Sequence, residues 1–168
     1  VQLSEPNGLA YDSNMGQLYI SNSSGNNICQ IANNEQVALV DIITDSSNQI
    51  LTPQNLTIDS SYNFYLANYG NPVGGVLKIT HDVSFNAVYD NSVDGISRPR
   101  QCAADRTTEN IWVADNHNYI PVLDPSGNIT KIGTAANTND PDGITTKASP
   151  DNLQRYDGSV AIRYSPPP

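Results

Sequence analysis

The sequence predicts an all-β fold, a β-propeller with about three four-stranded blades in one chain and an incomplete further blade. The first observation is a Pro-led opening that recurs. It reads Glu5-Pro6-Asn7-Gly8-Leu9-Ala10-Tyr11-Asp12, then Thr52-Pro53-Gln54-Asn55-Leu56-Thr57-Ile58-Asp59, then Arg98-Pro99-Arg100-Gln101-Cys102-Ala103-Ala104-Asp105, with prolines and aspartates both spaced by 47 and 46 residues. The second is a landmark in phase with it: Gln17-Leu18-Tyr19-Ile20-Ser21-Asn22, Asn63-Phe64-Tyr65-Leu66-Ala67-Asn68 and Asn110-Ile111-Trp112-Val113-Ala114-Asp115, whose last residues are 46 and 47 apart. The third is the punctuation: Gly and Pro recur every few residues and Ala-Glu-Lys-Leu runs are absent, which argues against helices.

Each repeat divides into strands. Leu9 to Tyr11, Leu56 to Ile58 and Cys102 to Ala104 are short, mostly apolar segments, and each ends at an Asp followed by turn residues. Leu18 to Ile20, Phe64 to Leu66 and Ile111 to Val113 are rich in the aromatic and β-branched residues that strands favour. Third strands are expected at 27–31, 75–79 and 119–123, and fourth strands at 37–40, 85–89 and 129–132. Pro121 weakens the third strand of the last repeat, because proline gives no N–H to a ladder. Asp124-Pro125-Ser126-Gly127-Asn128 is a turn between two strands. Four antiparallel strands per repeat at this period describe propeller blades, whereas the rungs of a β-solenoid are usually shorter. The repeats span about 4–46, 51–92 and 97–135, with 136–168 as a long connection and a C-terminal strand.

Composition narrows the function classes. The net charge is −9 and the eight Lys and Arg form no run in the sequence, so nucleic acid and anionic membrane surfaces are not expected partners. No apolar run reaches the length that crosses a bilayer, so no membrane insertion is expected. Low Lys content, abundant Asn and Ser, and glycosylation sequons at Asn22, Asn55 and Asn128 point to an extracellular or cell-surface setting.

The openings and the second landmark resemble the NHL repeat. Pro6-Asn7-Gly8-Leu9-Ala10-Tyr11-Asp12 is similar to its first strand. Ile111-Trp112-Val113-Ala114-Asp115-Asn116-His117-Asn118-Tyr119-Ile120 is similar to its middle. The sequence departs from the repeat at Asn55 and Gln101 in place of Gly, at Asn22 and Asn68 in place of Asp, and at uncharged residues such as Asn27 and Asn118 in place of the third-strand Arg. The resemblance implies a ring of about six blades, so three blades leave it open. Related propellers include lactonases and peptide-amidating lyases. Asp142-Gly143-Ile144 after Pro141 is similar to a blade opening, without the full ligand set of those enzymes.

Candidate site residues follow. Asp12, Asp59 and Asp105 recur at first-strand ends, where they either cap the following turn or form a carboxylate ring able to hold Ca²⁺. Asp140 and Asp142 belong either to a plain turn or to a weak calcium loop. His81 and His117 fall in different blades, so a histidine metal site is not expected. No nucleophile triad or phosphate-binding loop is recognisable. Cys29 and Cys102 fall on differently placed strands, so they are read as buried thiols or as an intersubunit pair. Gly158 to Arg163 resembles the first strand of a fourth blade, and Val1-Gln2-Leu3 an outer strand. An open ring suits a fragment, two chains that close one ring, or a C-terminal strand exchanged with a neighbour into a closed oligomer or fibre. The interface candidates are Val160, Ala161, Ile162 and Tyr164, with Tyr156 and Tyr69. The expected function is therefore a self-associating structural or interaction module, a homo-oligomer or a binder of another protein, with no cofactor and no catalysis. The alternative is part of a metal-assisted lactonase or lyase.

Overall fold

The computed structural model describes residues 2–31, 39–43, 50–70, 74–80, 85–90, 95–96, 98–115, 119–132, 141–146 and 160–164. Blade 1 is a four-stranded sheet in the order β1 (Pro6–Asp12), β2 (Gln17–Asn22), β3 (Asn27–Ile31), β4 (Leu39–Ile43). Blade 2 repeats it with β5 (Pro53–Ile58), β6 (Phe64–Asn68), β7 (Gly75–Ile79) and β8 (Phe85–Asp90), and blade 3 with β9 (Pro99–Asp105), β10 (Asn110–Asp115), β11 (Ile120–Leu123) and β12 (Ile129–Ile132). β13 (Pro141–Thr146) and β14 (Val160–Tyr164) make a two-stranded start to a further blade. All pairings are antiparallel between chain neighbours. The first strands lie side by side, β1 against β5, β5 against β9 and β9 against β13, as strands around an axis do. The chain is thus an all-β propeller segment, with no helix among the described residues and none long and apolar enough to cross a membrane.

The repeated prolines occupy equivalent seats. Pro6 pairs with Asn22, Pro53 with Asn68 and Pro99 with Asp115, and the ladder shifts by one residue after each. Proline is tolerated there because the first residue of a strand need not donate. The lead-in chain is held by the acceptor at the end of the second strand. Ser4 N donates to Asn22 Oδ1 at 2.6 Å, Leu51 N to Asn68 Oδ1 at 2.8 Å and Arg98 N to Asp115 Oδ1 at 2.8 Å. One carbonyl-type oxygen suffices, so Asn and Asp exchange freely at this seat.

The turn between first and second strands repeats too. Asp12 Oδ1 accepts from Asn14 N and Met15 N at 2.8 and 3.1 Å, Asp59 Oδ1 from Asn63 N at 2.8 Å, and Asp105 Oδ1 from Thr107 N at 2.9 Å. The residue that ends the turn has positive φ in every blade: Gly16 at 65°, Tyr62 at 64° and Glu109 at 61°. Only Gly takes that conformation without steric cost.

The core lies between blades rather than within one. Each sheet presents a leading face to the blade before it and a trailing face to the blade after. Leu56, Ile58, Phe64, Leu66, Leu77 and Ile79 of blade 2 pack on Tyr19 and Ile28 of blade 1. Cys102, Ile111, Val113 and Leu123 of blade 3 pack on Tyr65, Ala67 and Val76 of blade 2. Ile144 of β13 packs on Ala103, Ala114, Ile120 and Val122 of blade 3. Strand alternation sorts these residues onto the two faces.

Some expectations are corrected here. The stretch 136–168, expected as a long connection with a C-terminal strand, also holds a first strand at Pro141–Thr146. Its Pro141-Asp142-Gly143-Ile144 start is similar to a blade opening, but the proline follows Pro99 by 42 residues, not 46 or 47, and Thr145-Thr146 replaces the apolar-Asp ending. Val160–Tyr164 is accordingly a second strand, paired with β13 of its own chain. The fourth strand of blade 1 runs over Leu39–Ile43, with the expected residues 37 and 38, like Val1, outside the described residues, and Gln2 and Leu3 are in no strand. Pro121 does sit in β11, facing Lys131 of β12, while on the other side the pairing with β10 covers only Val122 and Leu123.

Candidate functional site at the channel mouth

The one-residue shift after each proline leaves a single residue outside the ladder: Asn7 in β1, Gln54 in β5, Arg100 in β9 and Asp142 in β13. A bulge re-aims the side chain that it carries. Repeated on adjacent first strands, it gathers residues 47 and 46 positions apart at one end of the axis. Asn7, Gln54 and Arg100, with Asn55 and Gln101, line a cleft of about 380 Å³. Asn7 Nδ2 donates to Gln54 Oε1 at 3.3 Å, and Gln54 Nε2 donates to Ser23 Oγ at 3.2 Å. Arg100 carries the only charge among these five lining residues, and its guanidinium carbon lies 5.8 Å from the Tyr69 ring centroid, with Arg98 at 5.9 Å. Tyr69, expected at an interface, is thus half-buried under two arginines of its own chain. Cation–π stacking of this kind helps to orient a guanidinium.

The residue after each bulge ties one blade to the next. Asn55 Oδ1 accepts from Cys102 N at 3.1 Å, and Gln101 Oε1 from Ile144 N at 3.1 Å. These are the two positions at which the sequence departs from glycine. Blade 1 keeps Gly8, and a Cβ there would meet Asn55 Cα at 2.6 Å. Its link comes instead from Ser21, whose Oγ accepts from Gly8 N at 2.8 Å and donates to Gln54 O at 3.1 Å. Asn55, a sequon residue, is therefore part of a seam. Asn22, the second sequon residue, is buried with its amide bonded to Asn27 Oδ1 at 2.8 Å. Asn128 is the exposed one, its N–H and amide bonded to Asp124, whose carboxyl these bonds hold below its usual range.

The recurring aspartates lie at the other end of the first strands, away from the cleft. Asp12, Asp59 and Asp105 are buried turn caps. Among the described residues no three His, Cys, Asp or Glu side chains converge as a metal site requires. Asp12 and Asp59 act on a second-strand tyrosine, and the three blades differ here. In blade 2, Tyr65 bonds Asp59, and burial together with that carboxylate pushes the phenol well above its usual range. In blade 1, Tyr19 OH donates to Gln17 Oε1 at 2.9 Å, and Asp12 Oδ2 is buried without a partner. In blade 3, Thr108 Oγ1 donates to Asp105 Oδ2 at 2.8 Å, and Trp112 Nε1 is buried without a partner among the described residues.

Cys29 and Cys102 are both buried thiols outside any disulfide, and burial pushes the Cys102 thiol up to about 12. His81, His117, Asp140 and Tyr156 lie outside the described residues, and of Asp142, Val160, Ala161, Ile162 and Tyr164 the backbone alone is described. Sequence reasoning missed Asn7, Gln54 and Arg100, although the signal was present: each directly follows a repeat proline.

No family model matches the sequence, and no curated protein matches it. The fold does have solved relatives. A streptogramin B lyase superposes with a TM-score of 0.65 at 14% identity, over 98% of this chain and 56% of that one. A nidogen/laminin complex gives 0.70 at 16%, over 86% and 53%. A gluconolactonase from Xanthomonas campestris, XC5397, gives 0.68 at 14%, over 86% and 52%. The chain therefore spans about half the length of the structures it resembles. These likenesses overturn the expectation that the chain is not an enzyme. The same propeller carries a lyase and a lactonase, so the lack of a recognisable triad was no ground for setting catalysis aside.

Proposed function

We propose that this chain is the blade-bearing part of a lactonase- or lyase-like propeller and that the channel-mouth cleft binds a small, oxygen-rich, negatively charged molecule. The observation that carries the reading is the triple bulge, which turns Asn7, Gln54 and Arg100 into one cleft. The chemistry follows from the donors. A guanidinium offers several N–H groups in a plane and matches a carboxylate or a developing oxyanion. Side-chain amides both donate and accept, which suits hydroxyl and carbonyl oxygens. In a chain of net charge −9, the one charged residue among the five described lining residues is positive, which favours an anionic ligand. Tyr69 holds Arg100 at the rim, so the cation is oriented before a ligand arrives. Asp142 holds the fourth equivalent backbone position and is the residue through which acid–base chemistry would enter. The blades are read as NHL-like on the Pro6 to Asp12 and Ile111 to Ile120 motifs, and the setting as extracellular on the acidic composition and the exposed Asn128 sequon.

Calorimetric titration with gluconate, a small polyhydroxylated carboxylate, against uncharged gluconolactone tests the reading. Gluconate binds the more tightly, and Arg100→Ala weakens its binding by about tenfold or more with an unchanged melting temperature. Absence of gluconate binding at millimolar concentration, or equal affinity in the variant, removes it.

A second reading, a protein-binding module, is favoured by one observation: Leu9 and Tyr11 of β1 are 63% and 58% exposed.

A further inference from the structure

The sequence holds one Asn-Gly dipeptide, Asn7-Gly8, and the fold sets its asparagine in the lining of the cleft. Such a pair is prone to lose its side-chain amide, because glycine has no side chain to keep its own nitrogen away from the asparagine Cγ. Both residues are fixed by their surroundings. Asn7 is the bulged residue, exposed, with Nδ2 donating to Gln54 Oε1 at 3.3 Å. Gly8 is buried, and a Cβ there would meet Asn55 Cα at 2.6 Å and Gln54 O at 3.1 Å, so the seam between blades demands glycine. The equivalent pairs of the next two blades are Gln54-Asn55 and Arg100-Gln101. The residue across the ladder changes with them. Ser21 faces Gly8, whereas Ala67 faces Asn55 and Ala114 faces Gln101. Among the three four-stranded blades, the hydroxyl stands only where the labile pair does.

We propose that Asn7-Gly8 is a deamidation site built into the cleft, and that the Ser21 hydroxyl is the positioning group that keeps it closed in the folded chain. In the open reaction, the Gly8 nitrogen gives its proton to solvent base and attacks Asn7 Cγ. The new N–C bond forms, the Cγ–Nδ2 bond breaks and ammonia leaves. Water then opens the five-membered imide at either carbonyl, which yields an aspartyl or an isoaspartyl residue. In the fold, Gly8 N donates to Ser21 Oγ at 2.8 Å, and that oxygen donates in turn to Gln54 O at 3.1 Å. The nucleophile is thus held by a side chain of β2 and buried in the sheet, while the amide it would attack lies exposed. Attack requires that this bond be given up and that the strand open locally. Once it occurs, a carboxylate replaces the donor amide beside Gln54, in a lining whose one charged residue among the five described is Arg100. The inference does not depend on what the cleft binds.

Peptide mass spectrometry of the purified chain, held at mildly alkaline pH with and without urea, tests it. The folded wild-type chain is expected to keep the Asn7 amide. In urea that residue is expected to convert to the aspartyl and isoaspartyl mixture faster than any other asparagine. Ser21→Ala removes one acceptor from the Gly8 N–H and is expected to speed conversion at Asn7 in the folded chain by about tenfold, with the other asparagines unchanged. Ser21→Thr keeps the hydroxyl and is expected to hold the wild-type rate. Conversion in the folded wild-type chain as fast as in urea overturns the inference, as does persistence of the Asn7 amide in urea. Equal rates in wild type and Ser21→Ala, a Ser21→Thr rate matching that of Ser21→Ala, or a rise at every asparagine alike removes the role of Ser21. Hydrogen exchange on the wild-type chain covers the case in which Ser21→Ala does not fold. The Gly8 N–H is expected to exchange far more slowly than the amides of exposed turns, and equal exchange overturns the lock.

Discussion

Leu9 and Leu56 occupy the same seat on consecutive blades, with the same residue type, the same strand and the same place after a bulged position, yet one is 63% exposed and the other 2%. The difference lies in the neighbour. Blade 1 stands in front of Leu56, and no described sheet stands in front of Leu9. Burial in a repeat fold belongs to the interface between units, and energy follows burial, because stability in such arrays is close to a sum of unit and neighbour terms. Identical residues therefore carry unequal weight.

The comparison breaks most readily through the leucines themselves. Leu56→Ala is expected to cost about 3 kcal/mol in urea unfolding, since it opens a cavity between two sheets. Leu9→Ala is expected to cost less than about 0.5 kcal/mol at concentrations where the chain is a single copy. Equal costs would show that Leu9 is covered in solution even without a partner. A smaller effect tests the seam. Asn55→Ala leaves Cys102 N–H without its acceptor and is expected to cost about 1–2 kcal/mol. Loss of nothing measurable would mean that water replaces the amide.

A pH-dependent effect comes from blade 3, where Cys102 takes the seat of Leu9 and Leu56. Burial holds the thiol proton to about 12, above its ordinary value of 9.0. Above pH 9 the unfolded chain sheds a proton that the native chain keeps, so the unfolded state is favoured as pH rises. The stability lost reaches about 1 kcal/mol by pH 10. Urea melts at pH 8 and pH 10 are expected to show the wild-type chain losing that increment more than Cys102→Ala does. Parallel losses in the two proteins would place the alkaline sensitivity elsewhere, for instance on the tyrosines.

Much of this architecture could be read along the chain. The 46- and 47-residue phase located three blades and their first two strands, and the Asp turn caps followed from residue type. Where the phase slipped, reading failed. Pro141 came at a step of 42, so its likeness to a blade opening was not read as a strand, and the first-strand reading went to the segment that holds β14. Asn55 and Gln101 looked like departures from a pattern, and their reach to the next blade explains them. The cleft was illegible for a related reason. Asn, Gln and Arg share no residue type, and only the bulge aligns them.

The residues alone determined the period, the alternation of faces, the turns and the acidic charge, because each of these is written in stretches of a few residues and repeats without help from elsewhere. Tertiary structure decided which apolar face is covered, which amides link blades, and which polar side chains meet Arg100 at the mouth. Those outcomes depend on groups more than forty residues apart brought within bonding distance, and no local pattern encodes a distance that only the assembled sheets create.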